Sequence, residues 1–178
     1  MELRDARPEP PAFRRAATRI STLLAAEALR DVPSTSSTVI TSHGPAEGQV
    51  VSGDVVVAPV LRAGLGMLDA VLALLPVARV GHIGLQCDKS TAIATTYYAR
   101  LPPDIGNSFV MVIDPVLAAG ARAICMICIV AAPKGVDVVT ERHPDVALYA
   151  PVVDRGLDTR KYIVSGLGDF GDRLYGTV

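Results

Sequence analysis

At 178 residues the chain has room for a single domain with a sizeable core. Apolar residues make up 50% and charged residues 20%, which excludes a disordered chain, and no apolar run reaches the ~18 residues of a membrane-spanning helix. A net charge of −1 without a basic block, and the absence of Trp, leave general nucleic-acid binding without electrostatic or stacking support.

Residues 1–11 are charged and proline-rich and read as a loose lead-in without the apolar core of a signal peptide, which points to a cytoplasmic location. Over 13–32, Phe13, Ala16, Ala17, Ile20, Leu23, Leu24 and Ala28 form a helical stripe. Residues 34–53, rich in Ser, Thr and Gly, read as an arm or hairpin outside the core, with His43 in an exposed loop. From Val55 onward apolar strands alternate with helices. The strands fall at 55–61, 79–85, 109–113, 123–130 and 146–153, and the helices at 67–75 and 135–142. Continuous apolar strands between helices predict an α/β fold: one parallel β-sheet flanked by helices, in a single domain over 1–178 with a small arm.

One join resists this pattern. Only residues 114–122 separate two buried-strand runs, whereas a parallel crossover takes roughly a dozen residues or more. Either these strands pair antiparallel or something is missing between them. Cys125-Met126-Ile127-Cys128 matches C-x-x-C, yet it lies in an apolar run. On a strand, positions i and i+3 face opposite sides, so buried inert thiols are expected rather than a metal or redox pair.

The chemistry gathers in two glycine-rich loops. In Pro59-Val60-Leu61-Arg62-Ala63-Gly64-Leu65-Gly66-Met67 a strand ends on an arginine and two glycines, and a helix follows at once. Backbone N–H groups, a positive helix end and a cation then share one loop, which suits an anionic ligand. An ordinary strand-to-helix turn has the same spacing; the second loop, Gly166-Leu167-Gly168-Asp169-Phe170-Gly171-Asp172, tips the balance. One cationic and one acidic loop suit a phosphorylated substrate handled with a metal. Gly166, Gly168 and Gly171 also match G-x-G-x-x-G, but a dinucleotide fingerprint must open a helix within a βαβ unit, and seven residues follow Gly171. No NAD or FAD site is expected.

The first loop, Asp114-Pro115-Val116-Leu117-Ala118, Val130-Ala131-Ala132-Pro133-Lys134-Gly135, His143-Pro144-Asp145-Val146, and the stretch from Tyr162-Ile163 through Gly171-Asp172-Arg173-Leu174-Tyr175-Gly176-Thr177 stand in one order. In these motifs, from Phe13 onward, the chain resembles the uracil phosphoribosyltransferase family. The resemblance implies a type I phosphoribosyltransferase fold with a small hood. It implies a cytoplasmic pyrimidine-salvage enzyme that joins uracil to the ribose 5-phosphate of phosphoribosyl pyrophosphate (PRPP), giving UMP and pyrophosphate with Mg²⁺. A homodimer or larger homo-oligomer is implied too, with no nucleic-acid or membrane partner.

Carried residue by residue, the resemblance makes Arg62, Ala63 and Gly64 the pyrophosphate loop. It gives Asp114, with Pro115, Leu117 and Ala118, to the ribose end of PRPP. Tyr162, Ile163, Gly166, Leu167, Gly168 and Phe170 become the uracil pocket, read largely by main-chain groups. Arg62 and Asp169 become the catalytic pair, with Asp169 meeting Mg²⁺ through PRPP. The transition state is oxocarbenium-like, so positioning and electrostatics outweigh any nucleophile.

The chain also departs from the family. After Asp-Pro-x-Leu-Ala the family continues into Thr-Gly-Gly-Ser and a helix; here Ala119-Gly120-Ala121-Arg122 lead straight to the next strand. About fourteen residues are lacking at the join that is already too short for a crossover, and they include the 5′-phosphate cradle. Either the natural chain lacks the cradle, or this sequence leaves out a mobile segment of a longer parent. Cys87 stands where a pyrophosphate-contacting arginine is usual, Ser165 where proline is usual and Asp158 where asparagine is common. These departures imply an eroded PRPP site. Two alternatives follow: a repurposed enzyme with another substrate, or a non-catalytic nucleobase- or nucleotide-binding protein.

Overall fold

A computed structural model describes residues 2–5, 7, 9–87, 94–117, 125–159, 162–164 and 166–177, with the backbone alone at Cys87, Ala94 and Leu117. Helix α1, Pro10–Ala28, opens on proline, whose fixed φ suits a first turn. It buries Phe13, Ala16, Ala17, Leu24 and Ala28, whereas Leu23 of the expected stripe points outward. A 3₁₀ turn, Leu29–Asp31, leads into the arm. Strands β1, Ser34–Thr41, and β2, Gly44–Val51, form a two-stranded antiparallel hairpin apart from the main sheet, as the composition of 34–53 predicts.

Next come β3, Val55–Leu61; α2, Leu65–Leu74; β4, Arg79–Val80; β5, His82–Cys87; and β6, Ala94–Arg100. A 3₁₀ turn, Ile105–Asn107, precedes β7, Phe109–Ile113, and β8, Val116–Leu117. The chain ends with β9, Cys125–Ile127; β10, Val130–Ala131; α3, Pro133–Arg142; β11, Ala147–Tyr149; and α4, Phe170–Tyr175. The main sheet runs β11-β9-β7-β3-β5-β6, with β4 also on β3, and every pairing but that of β5 with β6 is parallel.

The apolar runs at 79–85 and 123–130 are each divided. Gly81 parts β4 from β5, and Cys128-Ile129 carries the chain from β9, in the main sheet, to β10, which pairs parallel with β8. The run at 146–153 gives only the short β11, with Val153 bridging Ala131. Hydropathy marks the buried segment and is blind to which neighbour it pairs with. Neither β6 nor α4 was expected. β6 is an exposed edge strand without an apolar face, and α4 is too short for a periodic pattern.

Strands β7 and β9 pair parallel with Ile113 opposite Ile127, which removes the antiparallel option for the short join. The backbone at 118–124, where continuity would separate the two explanations of that join, lies outside the described residues. One face of the sheet packs Val57, Met111, Ile113, Cys125 and Ile127 against Phe13, Met67 and Phe170. The other packs Met126 and Cys128 against Val139 of α3. The two cysteines therefore sit in separate clusters, unbonded, with burial pushing both thiols up to about 12. At the amino end of the sheet Asp54 accepts from Arg79 (Nε–Oδ1 2.8 Å) and from Ser108 Oγ, tying together the starts of β3, β4 and β7.

Candidate active site

Pro59 lies opposite Ile113 in the parallel pair of β3 and β7, so Arg62 and Asp114 both stand just beyond the carboxyl ends of adjacent strands. That edge is where open α/β sheets place their ligands. The two loops also touch. A Cβ on Gly64 would fall 2.4 Å from the Ile113 carbonyl oxygen and 2.7 Å from the Val60 nitrogen, so glycine is needed for close approach. The Gly64 N–H donates to the Val60 carbonyl at 2.8 Å, while those of Leu65 and Gly66 donate to Arg62 and Ala63 at 3.1 Å each. These amides close the turns that lead from β3 into α2, so Gly64 serves by the space it leaves, and the cation of this loop is the Arg62 guanidinium.

Arg62 is turned toward the C-terminal helix. Its Nη2 is 3.2 Å from Asp172 Oδ1, and its Cζ lies 6.0 Å from the Tyr175 ring centroid. The Tyr175 hydroxyl donates to the Arg62 carbonyl at 3.4 Å, and Thr177 Oγ1 donates to Asp172 Oδ1 at 2.5 Å. With 57% of its side chain exposed, Arg62 is held by a surface ion pair that a polyanion can displace.

The Asp114 N–H donates to the Ile127 carbonyl at 3.0 Å, and its carboxylate accepts from the Val116 N–H at 3.3 Å. Burial pushes this carboxyl up to about 7 against the pull of that single donor. The Pro115 carbonyl accepts from Ile129 and Val130 at 3.1 and 3.0 Å, which makes Pro115 an anchor of the small pairing between β8 and β10. Only the backbone of Leu117 is described, and Ala118 lies outside the described residues.

The expected base loop is built by main-chain bonds. The Asp158 N–H donates to the Tyr162 carbonyl (2.8 Å), and the Tyr162 N–H to Asp158 Oδ1 (2.9 Å), an acceptor role that an asparagine oxygen fills equally. The Val164 N–H reaches the Gly156 carbonyl (2.8 Å), and the Gly166 N–H reaches that of Ile163 (2.9 Å). Side chains of Ile163, Leu167 and Phe170 are buried in the core, Phe170 edge-on to Phe13 with centroids 5.0 Å apart. Those three residues can meet a base only through their backbone. Tyr162 is exposed, and Ser165 lies outside the described residues.

Asp169 caps α4, its Oδ1 accepting from the Asp172 N–H at 3.0 Å. Its carboxylate stays exposed beside the Asp172 that holds Arg62. Asp172, Arg173 and Tyr175 are site-shaping residues that sequence reasoning left unassigned. A signal was available: an Asp at N-cap with another three residues on, and Gly176 in the left-handed conformation (φ +67°) after the last turn, frame a short helix. The helix is only six residues long and is the last element of the chain. Cys87 ends β5, three residues beyond the Gly84 that pairs with Leu61, at the same carboxyl edge as Arg62.

A family model described as uracil phosphoribosyltransferase matches residues 1–177. A relative named uracil phosphoribosyltransferase from Halalkalibacterium halodurans is 43% identical, covering 93% of this chain and 86% of its own. One of the same name from Kineococcus radiotolerans is 45% identical over 194 positions, covering 99% and 92%. An alignment of 194 positions set against 178 residues leaves at least 16 residues of that relative without a counterpart, a shortfall of the size expected at the short join. The solved AQ2163 protein of Aquifex aeolicus superposes with a TM-score of 0.89 at 30% identity, over 97% of this chain and 90% of its own. An adenine phosphoribosyl transferase of Trypanosoma brucei shares the fold at a TM-score of 0.51 and 13% identity, over 80% of this chain and 65% of its own. A full-length family match, relatives above 40% identity and a type I phosphoribosyltransferase sheet agree: the chain belongs to the uracil phosphoribosyltransferase family.

Proposed function

We propose that the protein transfers ribose 5-phosphate from PRPP to N1 of uracil, releasing pyrophosphate and forming UMP. The observation that carries this reading is the placement of Arg62 and Asp114 just beyond the carboxyl ends of adjacent strands, with α4 drawn to Arg62 through Asp172. The Arg62 guanidinium exchanges Asp172 for the pyrophosphate oxygens, a charge-assisted contact that strengthens as the leaving group gains charge. Asp114 accepts from the ribose hydroxyls, and main-chain groups of 162–168 hold the base edge. The C1′–O bond to pyrophosphate breaks with its electron pair as the N1–C1′ bond forms, and the N1 proton is lost to solvent.

Among the described residues no three His, Cys, Asp or Glu side chains gather to hold a metal. The exposed carboxylate of Asp169 fits an ion carried on the substrate's phosphates and met by one protein oxygen, as is usual for Mg²⁺. Bound there, Mg²⁺ would neutralise the departing pyrophosphate. Two features support a weakened hold on PRPP: Cys87 at the site edge and the short join after β8. The exposed Val39, Ile40, Val50 and Val51 of the hairpin support a second copy of the chain as partner. Among the described residues no helix is long and apolar enough to cross a membrane.

Incubation with uracil, PRPP and Mg²⁺ tests the reading. UMP and pyrophosphate should appear in equal amounts, and Arg62→Ala should lower kcat/KM for PRPP about 100-fold. No UMP at saturating substrates, with no uracil binding by calorimetry, would overturn it.

A further inference from the structure

Arg173 ties the loop just before it to the N-terminal lead-in and to α1. Its Nη1 donates to the Leu167 carbonyl at 2.8 Å and to the Leu3 carbonyl at 2.5 Å, and its Nη2 donates to the Asp5 carbonyl. Its Cζ lies 4.2 Å from the centroid of the Phe13 ring on α1. Leu167 lies inside the loop assigned to the base, between a glycine too crowded for a side chain and another at φ +68°. The Leu167-Gly168 peptide is trans, so its N–H points opposite to its carbonyl. With the carbonyl drawn inward to Arg173, the Gly168 N–H faces away from the guanidinium.

We propose that Arg173 is a positioning residue for nucleobase recognition, fixing through the Leu167 carbonyl which side of the 167–168 peptide meets the base. The inference rests on the reading of 162–168 as the uracil loop. A fork of N–H donors is suited to this because it grips carbonyls of two segments at once, which a single ammonium does poorly. The link also carries the lead-in residues Leu3 and Asp5 into the loop's support.

Arg173→Met keeps the stem over Phe13 and removes every donor, whereas Arg173→Lys keeps a charge and one reach. In the Met variant the KM for uracil should rise about tenfold or more, with KM for PRPP and kcat at saturation within about threefold of the parent. The Lys variant should recover part of that loss, and it carries the test if the Met variant does not fold. Amide exchange gives a readout that needs no substrate. The Gly166 N–H, bonded to the Ile163 carbonyl, should exchange at least about tenfold faster in the Met variant while β3 amides are unchanged. Unchanged uracil KM and unchanged Gly166 exchange overturn the proposal and leave Arg173 a strut of the C-terminal helix. If the parent itself neither binds uracil nor makes UMP, the proposed function falls, and so does base positioning, while the exchange result still decides whether Arg173 orders the loop.

Discussion

Burial lifts the Asp114 pKa from 3.8 to about 7, so between those values the folded protein keeps a proton that the unfolded chain has shed. Stability should therefore fall as pH rises from about 4 to 7 and level off above. Asp114→Asn removes the buried charge and should remove that slope, leaving the variant about 1–3 kcal/mol more stable at pH 8 in thermal melts taken across the range. The same change should lower kcat/KM for PRPP by about tenfold or more, because the carboxylate accepts ribose hydroxyls better than an amide oxygen. A variant less stable at pH 8, or with unaltered PRPP kinetics, would contradict this account of Asp114. Cys87 raises a different question, since it stands where an arginine is usual in the family. Cys87→Arg should tighten PRPP binding by roughly 1.5–3 kcal/mol in calorimetry, and an unchanged affinity would show the thiol to be harmless. Arg62 and Asp114 were legible from sequence because each follows directly on an apolar strand. The parking of Arg62 on Asp172 was not, since 110 residues separate them and no periodicity joins them.

At the level of elements, the β3–α2 junction shows best how the local sequence sets the site. Strand β3 was legible to the residue because seven consecutive apolar side chains with β-branching are buried over almost their whole length. The glycine that follows matters for a different reason, the approach of its backbone to Ile113. Gly64→Ala places a methyl group against main-chain oxygen that cannot rotate away, so β3, β7 or α2 must shift. A loss of about 2–4 kcal/mol is expected in denaturant melts, together with weaker pyrophosphate binding. A stable variant with normal affinity would mean that the loop yields freely, and that the glycine is not needed there. Gly66 is different: its added Cβ would meet the Leu174 side chain at 2.5 Å, and a side chain can repack. Helix α3 was found two residues late because Pro133, which starts it, reads as a breaker until it is recognised as a first-turn residue. The cysteine pair followed the strand geometry used to place it, with β9 and the bend after it sending the two thiols to opposite faces.

For the whole molecule, the order of apolar runs was enough to foresee a parallel sheet, because strands buried on both faces and separated by helices have few other solutions. The exposed edge was not foreseeable, since β6 takes its place by hydrogen bonding to β5 rather than by burying side chains. The join between β7 and β9 is where fold and function meet. Parallel pairing of Ile113 with Ile127 asks the chain to return to the amino end of the sheet, and only eleven residues, 114–124, connect the two strands. The Kineococcus radiotolerans relative, aligned over 194 positions, has at least 16 residues that this chain lacks. If the shortfall falls at this join, the sheet keeps its register while the phosphate end of PRPP loses hydroxyl donors and a helix N-terminus. Inserting a Thr-Gly-Gly-Ser loop and a helical segment, about sixteen residues in all, between Ala118 and Arg122 should then tighten PRPP binding at least about tenfold. Uracil affinity should stay within about twofold, since the loop proposed to hold the base is tied at Leu167 to α4 and, through Arg173, to the N-terminal segment. PRPP affinity unmoved by the insertion, in a protein whose melting behaviour is preserved, would place the weakness at Cys87 instead.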